Sequence, residues 1–356
     1  MLVSAIISLI LLSLLDDSIK TIKCESTTET IECCGKEPNN KAESYGAHIS
    51  FPTFNASIST NYPWLPHNSD PYHNPITPNK YRNMPIQPLG NRQKFYDDIM
   101  TSCRNYFYKK DPHACDEYEE ARFEQNLLQP KSTINYTKIG YEKHDVLPSH
   151  MWKKLKRFWD INKNIDPLES EEWPIGNTYV NWWESPIHML DTDDERLKGS
   201  GYAFEKYIED TLQPLVTKWV GGIDIIPVAF YGIRIYTEDA FLTTHVDRTG
   251  NVFGVFINID QDVDEDWPLE VLGHDGILVN ITMKPGEMIF VETHSILHGR
   301  PFSLKGRFYA NLFIHFEPKV PRGTPKGALP PYLLKGSPWA DIWFSEYQFS
   351  LEPAQV

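Results

Sequence analysis

The amino-acid sequence predicts a mixed α+β protein, with helices in its middle portion followed by a β sandwich or barrel. Two observations carry this expectation. Between about residue 91 and residue 220, apolar side chains recur at three- and four-residue intervals, the period of an amphipathic helix. From about Ile223 the texture changes to short β-rich runs separated by turn pairs such as Gly250-Asn251, Asp275-Gly276 and Pro285-Gly286. A chain of 356 residues, 41% hydrophobic and 23% charged, has the size and composition to bury a substantial core.

Taken in order, Gln93 to Tyr108 and Cys115 to Leu128 read as helices, the second ended by Pro130. Tyr141 to Leu147 reads as a short strand. Met151 to Ile161 reads as a helix with Trp152, Leu155, Phe158 and Trp159 inward. Ala203 to Val220 reads as a further helix, kinked or divided at Pro214. The strands expected next are Val228–Tyr236, Phe241–Val246, Val252–Ile259, Leu269–Leu272, Ile277–Met283, Met288–Glu292 and Phe308–Phe316. The helices are expected to pack on one face of the larger sheet. The Pro-rich tail, 319–356, is expected to wrap the surface.

The N-terminal part bears on location. Met1 to Leu15 is an apolar run of about 14 residues, or roughly 21 Å as a helix, against a ~30 Å hydrocarbon core. Residues 1–23 therefore read as a secretory signal peptide, with a short uncleaved anchor as the alternative. Residues 24–90 form a Pro/Asn-rich leader, either a linker or a strap, and 91–136 a helical segment. Sequons begin at Asn55, Asn135 and Asn280, as in a glycoprotein. Of five cysteines, Cys103 and Cys115 flank a turn and suit a disulfide, with two separate buried thiols as the alternative. Together these features predict a lumenal or secreted protein, membrane-associated if the first segment is retained. A formal net charge of -14 argues against nucleic acid as a partner.

The residues with chemical promise lie in the β region. His245 and Asp247 are two apart, so on a strand they share a face. His298 follows one predicted strand later, and Arg307 stands at the start of the last long strand. Two imidazoles and one carboxylate leave open positions on a divalent iron, and an Arg nearby suits a carboxylate cosubstrate. Other residues take plainer readings. His294 is expected to be packed or hydrogen-bonded beside the site, His274 to lie in a turn, and His315 to sit on a core or surface strand. Arg234, Arg248 and Arg300 either line the mouth of the site or pair with carboxylates. The stretch Trp173–Trp183 is either a substrate wall or core packing.

The succession Tyr231-Gly-Ile-Arg-Ile-Tyr236, His245-Val-Asp247-Arg248, Pro285-Gly-Glu-Met, His298-Gly-Arg-Pro301 and Lys305-Gly-Arg307-Phe308-Tyr309 resembles the prolyl 4-hydroxylase-like 2-oxoglutarate/Fe(II) dioxygenases. The resemblance covers residues 137–318. It implies a double-stranded β-helix, or jelly roll, with His245, Asp247 and His298 as iron ligands. It further implies that Arg307 and Tyr236 hold the far carboxylate of 2-oxoglutarate. Fe(II), 2-oxoglutarate, O2 and ascorbate as reductant are the implied cofactors. Where collagen-type enzymes have Gly-Gly-Glu-Thr, this chain has Asp266-Trp-Pro-Leu-Glu-Val271, and a peptide-binding module is not visible. The expected activity is hydroxylation of a peptidyl proline. The alternatives are the same chemistry on a lysyl residue, glycan or small molecule, or a non-enzymatic jelly-roll binding protein.

Overall fold

A computed structural model describes residues 93–343 except 276 and 326. The signal peptide and leader expected at 1–23 and 24–90, with Asn55 and three of the cysteines, lie outside the described residues, as does the tail beyond 343. Among the described residues no helix is long and apolar enough to cross a membrane.

The chain order is α1 (Gln93–Phe107), α2 (Ala114–Ser132), β1 (Tyr141–His144), α3 (Ser149–Asn162), β2 (Ile187–Asp191), α4 (Tyr202–Trp219), β3 (Ile225–Thr237), β4 (Leu242–His245), β5 (Phe253–Val263), β6 (Leu269–Leu272), β7 (Leu278–Ile281), β8 (Met288–Val291), β9 (Leu297–Arg300) and β10 (Gly306–Pro318). The strands form a six-stranded sheet, ordered β1-β8-β5-β10-β3-β2, and a four-stranded sheet, ordered β4-β9-β6-β7. Their pairings are antiparallel. The strands β3 to β10 thus cross between two facing sheets in the order of a jelly roll, and β1 and β2 widen the larger sheet at its two edges.

Side-chain alternation along the long strands divides the core. On β10, Ala310, Leu312, Ile314 and Phe316 join the cluster beneath the helices. On the opposite face Asn311, Phe313 and His315 line the space between the sheets. Helix α4 contributes Phe204, Ile208, Leu212 and Val216, a stripe at four-residue intervals, and α3 contributes Met151, Leu155, Phe158 and Trp159. These two helices cover the larger sheet as expected. Helices α1 and α2 pack elsewhere, α2 against β4 at the edge of the smaller sheet. The expected disulfide joins them, between Cys103 and Cys115, both buried.

Several local expectations were overridden by tertiary packing. Helix α2 continues through Pro130 to Ser132, where the hydroxyls of Ser132 and Thr133 donate to the carbonyls of Leu128 and Gln129. Helix α4 runs through Pro214, flanked by buried Leu212 and Val216. A proline inside a helix costs about 3 kcal/mol, which burial of these side chains offsets. Two strands carry no propensity signal. β2 is an edge strand formed by pairing with β3, and β9, Leu-His-Gly-Arg, is made a strand by β4 and β6 on either side.

Leu312→Ala should lower unfolding stability in urea by about 2–5 kcal/mol, because its fully buried side chain fills the helix–sheet interface. Leu334→Ala, at a half-exposed position, should leave it almost unchanged.

Candidate metal centre

The centre is built on the pairing of β4 with β9, whose register sets His245 directly opposite His298. The strands approach closely because residue 299 is glycine. A Cβ there would meet the carbonyl oxygens of Thr243 and Leu242 at 2.8 and 2.9 Å. The two imidazole rings lie 4.5 Å apart between centroids. Asp247 follows just past the end of β4, where its N–H donates to the Thr293 carbonyl at 2.8 Å. Its Oδ1 stands 3.5 Å from His245 Nε2 and 3.9 Å from His298 Nε2. Among the described residues this is the group of three His, Cys, Asp or Glu side chains that could hold a metal ion, with ligand atoms all within 4.8 Å of one another.

The donor set fits a divalent cation. His245 Nδ1 lies 2.6 Å from the Thr243 carbonyl and His298 Nδ1 lies 2.8 Å from the Ile296 carbonyl. A carbonyl only accepts, so each Nδ1 carries a hydrogen and each Nε2 is the nitrogen turned to the shared space, where it can serve as a metal donor. Carbonyl partners of this kind fix ring orientation in metal-binding histidines. Burial works to raise the Asp247 carboxyl, but His315, His245 and His298 together hold it well below the usual carboxylate range. Burial and the neighbouring His245 lower His298 to about 4, so its ring is neutral near pH 7.

His315 belongs to this site, although its sequence position suggested an ordinary strand residue. Its Nε2 lies 2.8 Å from Asp247 Oδ2, which leaves Oδ1 facing the histidines. The signal available in the sequence was the alternation of β10, which puts residue 315 on the same face as 311 and 313. His294 is packed as expected, fully buried between the carbonyls of Val252 and Ile134. His274 sits in a turn, within hydrogen-bonding distance of the Thr137 carbonyl and Ser295 Oγ.

The same pocket contains two guanidinium groups, that of Arg300 buried and that of Arg234 partly buried. Arg234 is paired through two hydrogen bonds, 2.6 and 2.5 Å, with Glu171. Arg300, 3% exposed, is two residues beyond His298 and shares its pocket. It lies over the rings of Trp267 and Tyr309, 4.6 and 4.4 Å from their centroids. It donates to the Trp267 carbonyl and to the Tyr309 hydroxyl. Among the described residues no carboxylate pairs with it. Tyr236, 1% exposed, stacks edge-on against Trp267 within the fields of Arg234 and Arg300. Asn311 leaves its Oδ1 buried without a partner.

Arg307 is not brought to this site. The pairing of β10 with β5 slips between Gly306 and Phe308, and this bulge turns Arg307 outward, where it pairs with Asp262 and Asp264. More than half of its side chain is exposed. The aromatic stretch divides: Trp173 and Tyr179 line the pocket, whereas Trp182 and Trp183 pack on Phe107 of α1. Arg248 is exposed at the mouth and donates to the Tyr231 hydroxyl at 2.9 Å.

The buried histidines set an acid limit. Burial lowers His294 to about 3 and His298 to about 4, against an unfolded value of about 6.5. Between these values the unfolded chain binds protons that the folded chain does not, so stability rises with pH across that interval. Chemical denaturation of metal-free protein should show stability falling as pH drops from about 6.5 towards 4, with the fall reduced in His294→Gln relative to its own value at pH 7.

No protein-family model matches the chain, and no curated protein matches it. Solved structures do. A prolyl 4-hydroxylase from Pseudomonas putida is 16% identical, over 51% of this chain and 95% of its own, with a TM-score of 0.37. A prolyl hydroxylase from Trichoplax adhaerens, in complex with a hypoxia inducible factor oxygen degradation domain peptide, is 12% identical over 49% of this chain and 83% of its own, with a TM-score of 0.36. HygX from Streptomyces hygroscopicus, with nickel, 2-oxoglutarate and hygromycin B bound, is 11% identical over 51% of this chain and 84% of its own, with a TM-score of 0.36. The strand order and donor geometry of this chain stand independently of these likenesses. Prolyl 4-hydroxylases and other 2-oxoglutarate/Fe(II) oxygenases are among the solved proteins to which this chain is similar.

Proposed function

We propose that the chain is a 2-oxoglutarate- and Fe(II)-dependent dioxygenase that hydroxylates its substrate. The observation that carries this reading is one pocket holding both the His245, Asp247 and His298 donors and a buried guanidinium, Arg300, that has no carboxylate partner among the described residues. Two imidazoles and one carboxylate suit Fe(II) and leave positions open for further ligands. Bound Fe(II), with 2-oxoglutarate and O2, would supply the oxidising chemistry, one oxygen atom entering the substrate and the other entering succinate as CO2 is lost.

The protein's part is binding and orientation. Arg300 takes the far carboxylate of 2-oxoglutarate in the place first expected of Arg307, with Tyr236 beside it. The Trp267 and Tyr309 rings fix the guanidinium plane and exclude water, which strengthens its attraction for an anion. The paired Arg234 and Glu171 form a neutral wall. The substrate enters past Trp173, Tyr231 and Arg248. An aromatic-lined mouth suits an extended prolyl peptide, whose polyproline II conformation binds with little ordering cost. The Cys103–Cys115 disulfide supports action in the secretory pathway, where ascorbate serves as reductant.

His298→Ala should abolish Fe(II)-dependent succinate formation, because it removes one of three protein ligands. Arg300→Leu should raise the 2-oxoglutarate requirement roughly thirty- to several-thousand-fold, the effect of about 2–5 kcal/mol for a lost buried charge partner, while Co(II) binding persists. Arg307→Leu should leave that requirement unchanged. Mass spectrometry of Pro-rich peptides incubated with Fe(II), 2-oxoglutarate and ascorbate should reveal one added oxygen on proline. Robust uncoupled succinate formation without prolyl oxidation would exclude that substrate and leave a lysyl residue, glycan or small molecule.

A further inference from the structure

The face of α2 turned towards β4 is polar, which is unusual for a buried helix face. Arg122, Asn126 and Gln129 are at most 5% exposed, and Gln125 is half-buried. Spaced at three- and four-residue intervals, they occupy one side of the helix. β4 explains their polarity. It is the edge strand of the smaller sheet, and beyond Leu242 and Thr243, which meet the backbone of Val180 and Tyr179, its outer main-chain groups have no strand to pair with. An apolar helix laid there would orphan those groups in a dry interior.

The side chains of α2 satisfy that row. The Asn126 amide donates to the Thr244 carbonyl at 3.0 Å and accepts from the Val246 N–H at 2.9 Å, as a residue of the missing strand would. Arg122, held by Glu119, also donates to the Thr244 carbonyl. Gln125 donates to the Asp247 carbonyl at 3.1 Å. Gln129 donates to the carbonyls of Asp247 at 2.6 Å and His294 at 2.8 Å, bridging the two segments that lead to the donors. Gln125 Oε1 accepts from the Tyr179 hydroxyl, and the Tyr179 ring packs against His245 at 5.0 Å between centroids. These contacts converge on residues 244–247, which carry two of the three donors, and on the approach to the third.

We infer that Gln125, Asn126 and Gln129 of α2 are positioning residues for the metal centre, setting the separation of His245, Asp247 and His298 through the backbone of β4. The inference rests on the metal-centre reading and adds to it a second element, about 120 residues upstream, on which the centre depends. Hydrogen-bonding partners outside the ligand set typically change metal affinity about 10–100-fold when lost.

Co(II), titrated into the full metal-free chain and read by its visible absorption, is the probe. Gln129→Met and Asn126→Ala should each weaken Co(II) binding about 10–100-fold and alter the spectrum of the folded protein. Ala121→Gln, exposed on the same helix, should match wild type. A purely structural role would lower thermal stability yet leave the affinity and spectrum of the folded protein unchanged, and that result in both variants overturns the inference. Hydrogen exchange on wild-type protein decides the matter if the variants do not fold. By linkage, Co(II) should slow exchange in α2 as well as in β4. Protection confined to β4 and β9 overturns the inference. Failure of wild-type protein to bind Co(II) instead overturns the metal-centre reading.

Discussion

The close approach of β4 and β9 is the constraint on which the rest depends. The register places His245 opposite His298, and Gly299 lets the two backbones come within a distance that any side chain would prevent. Both histidines present Nε2 because each Nδ1 is spent on a carbonyl of its own strand, two residues earlier. Ring orientation and tautomer therefore follow from local backbone geometry. The separation between the rings follows from sheet pairing, and the position of Asp247 from the turn that ends β4.

An edge strand is a weak foundation for such a centre, because its outer main-chain groups seek partners. Here the helical segment before the jelly roll supplies them with amide and guanidinium side chains. The Cys103–Cys115 disulfide ties the start of that helix to α1, which packs on Trp182 and Trp183. Helices α3 and α4 do different work on the larger sheet, where apolar stripes cover apolar strand faces. The contrast explains why one pair of helices reads as amphipathic while α2 has a polar buried side.

Charge is apportioned in the same way. The chain is strongly acidic, with 48 Asp and Glu against 34 Lys and Arg, and exterior cations such as Arg307 and Lys305 find acidic neighbours. Inside, Asp247 is hydrogen-bonded with His315 and Arg234 is paired with Glu171. Arg300 is held over two aromatic rings and, among the described residues, has no carboxylate partner. Removing one partner of a buried charge pair leaves the other uncompensated, so each interior pair constrains its neighbours.

By itself the sequence determined the α+β class, most of the helices and the alternating strands, and it singled out His245, Asp247 and His298 as the candidate donors that the fold brings together. Each is written in short-range patterns: a period near 3.6, a period of two, and a two-residue spacing of His245 and Asp247, although Asp247 falls just past the end of β4. The triad was separable from His274 and His294 because its members fall at equivalent points on two strands of a recognisable succession. Tertiary structure alone decided β2 and β9, whose residues lack strand propensity and become strands through their neighbours. It also decided that Arg300 rather than Arg307 faces the pocket, because a bulge at Gly306–Phe308 reverses the alternation there. His315 and the amides of α2 joined the centre for the same reason. Strand alternation puts His315 on the right face, but hydrogen bonds across 68 and about 120 residues depend on which surfaces the fold brings together, and local periodicity does not name the partner.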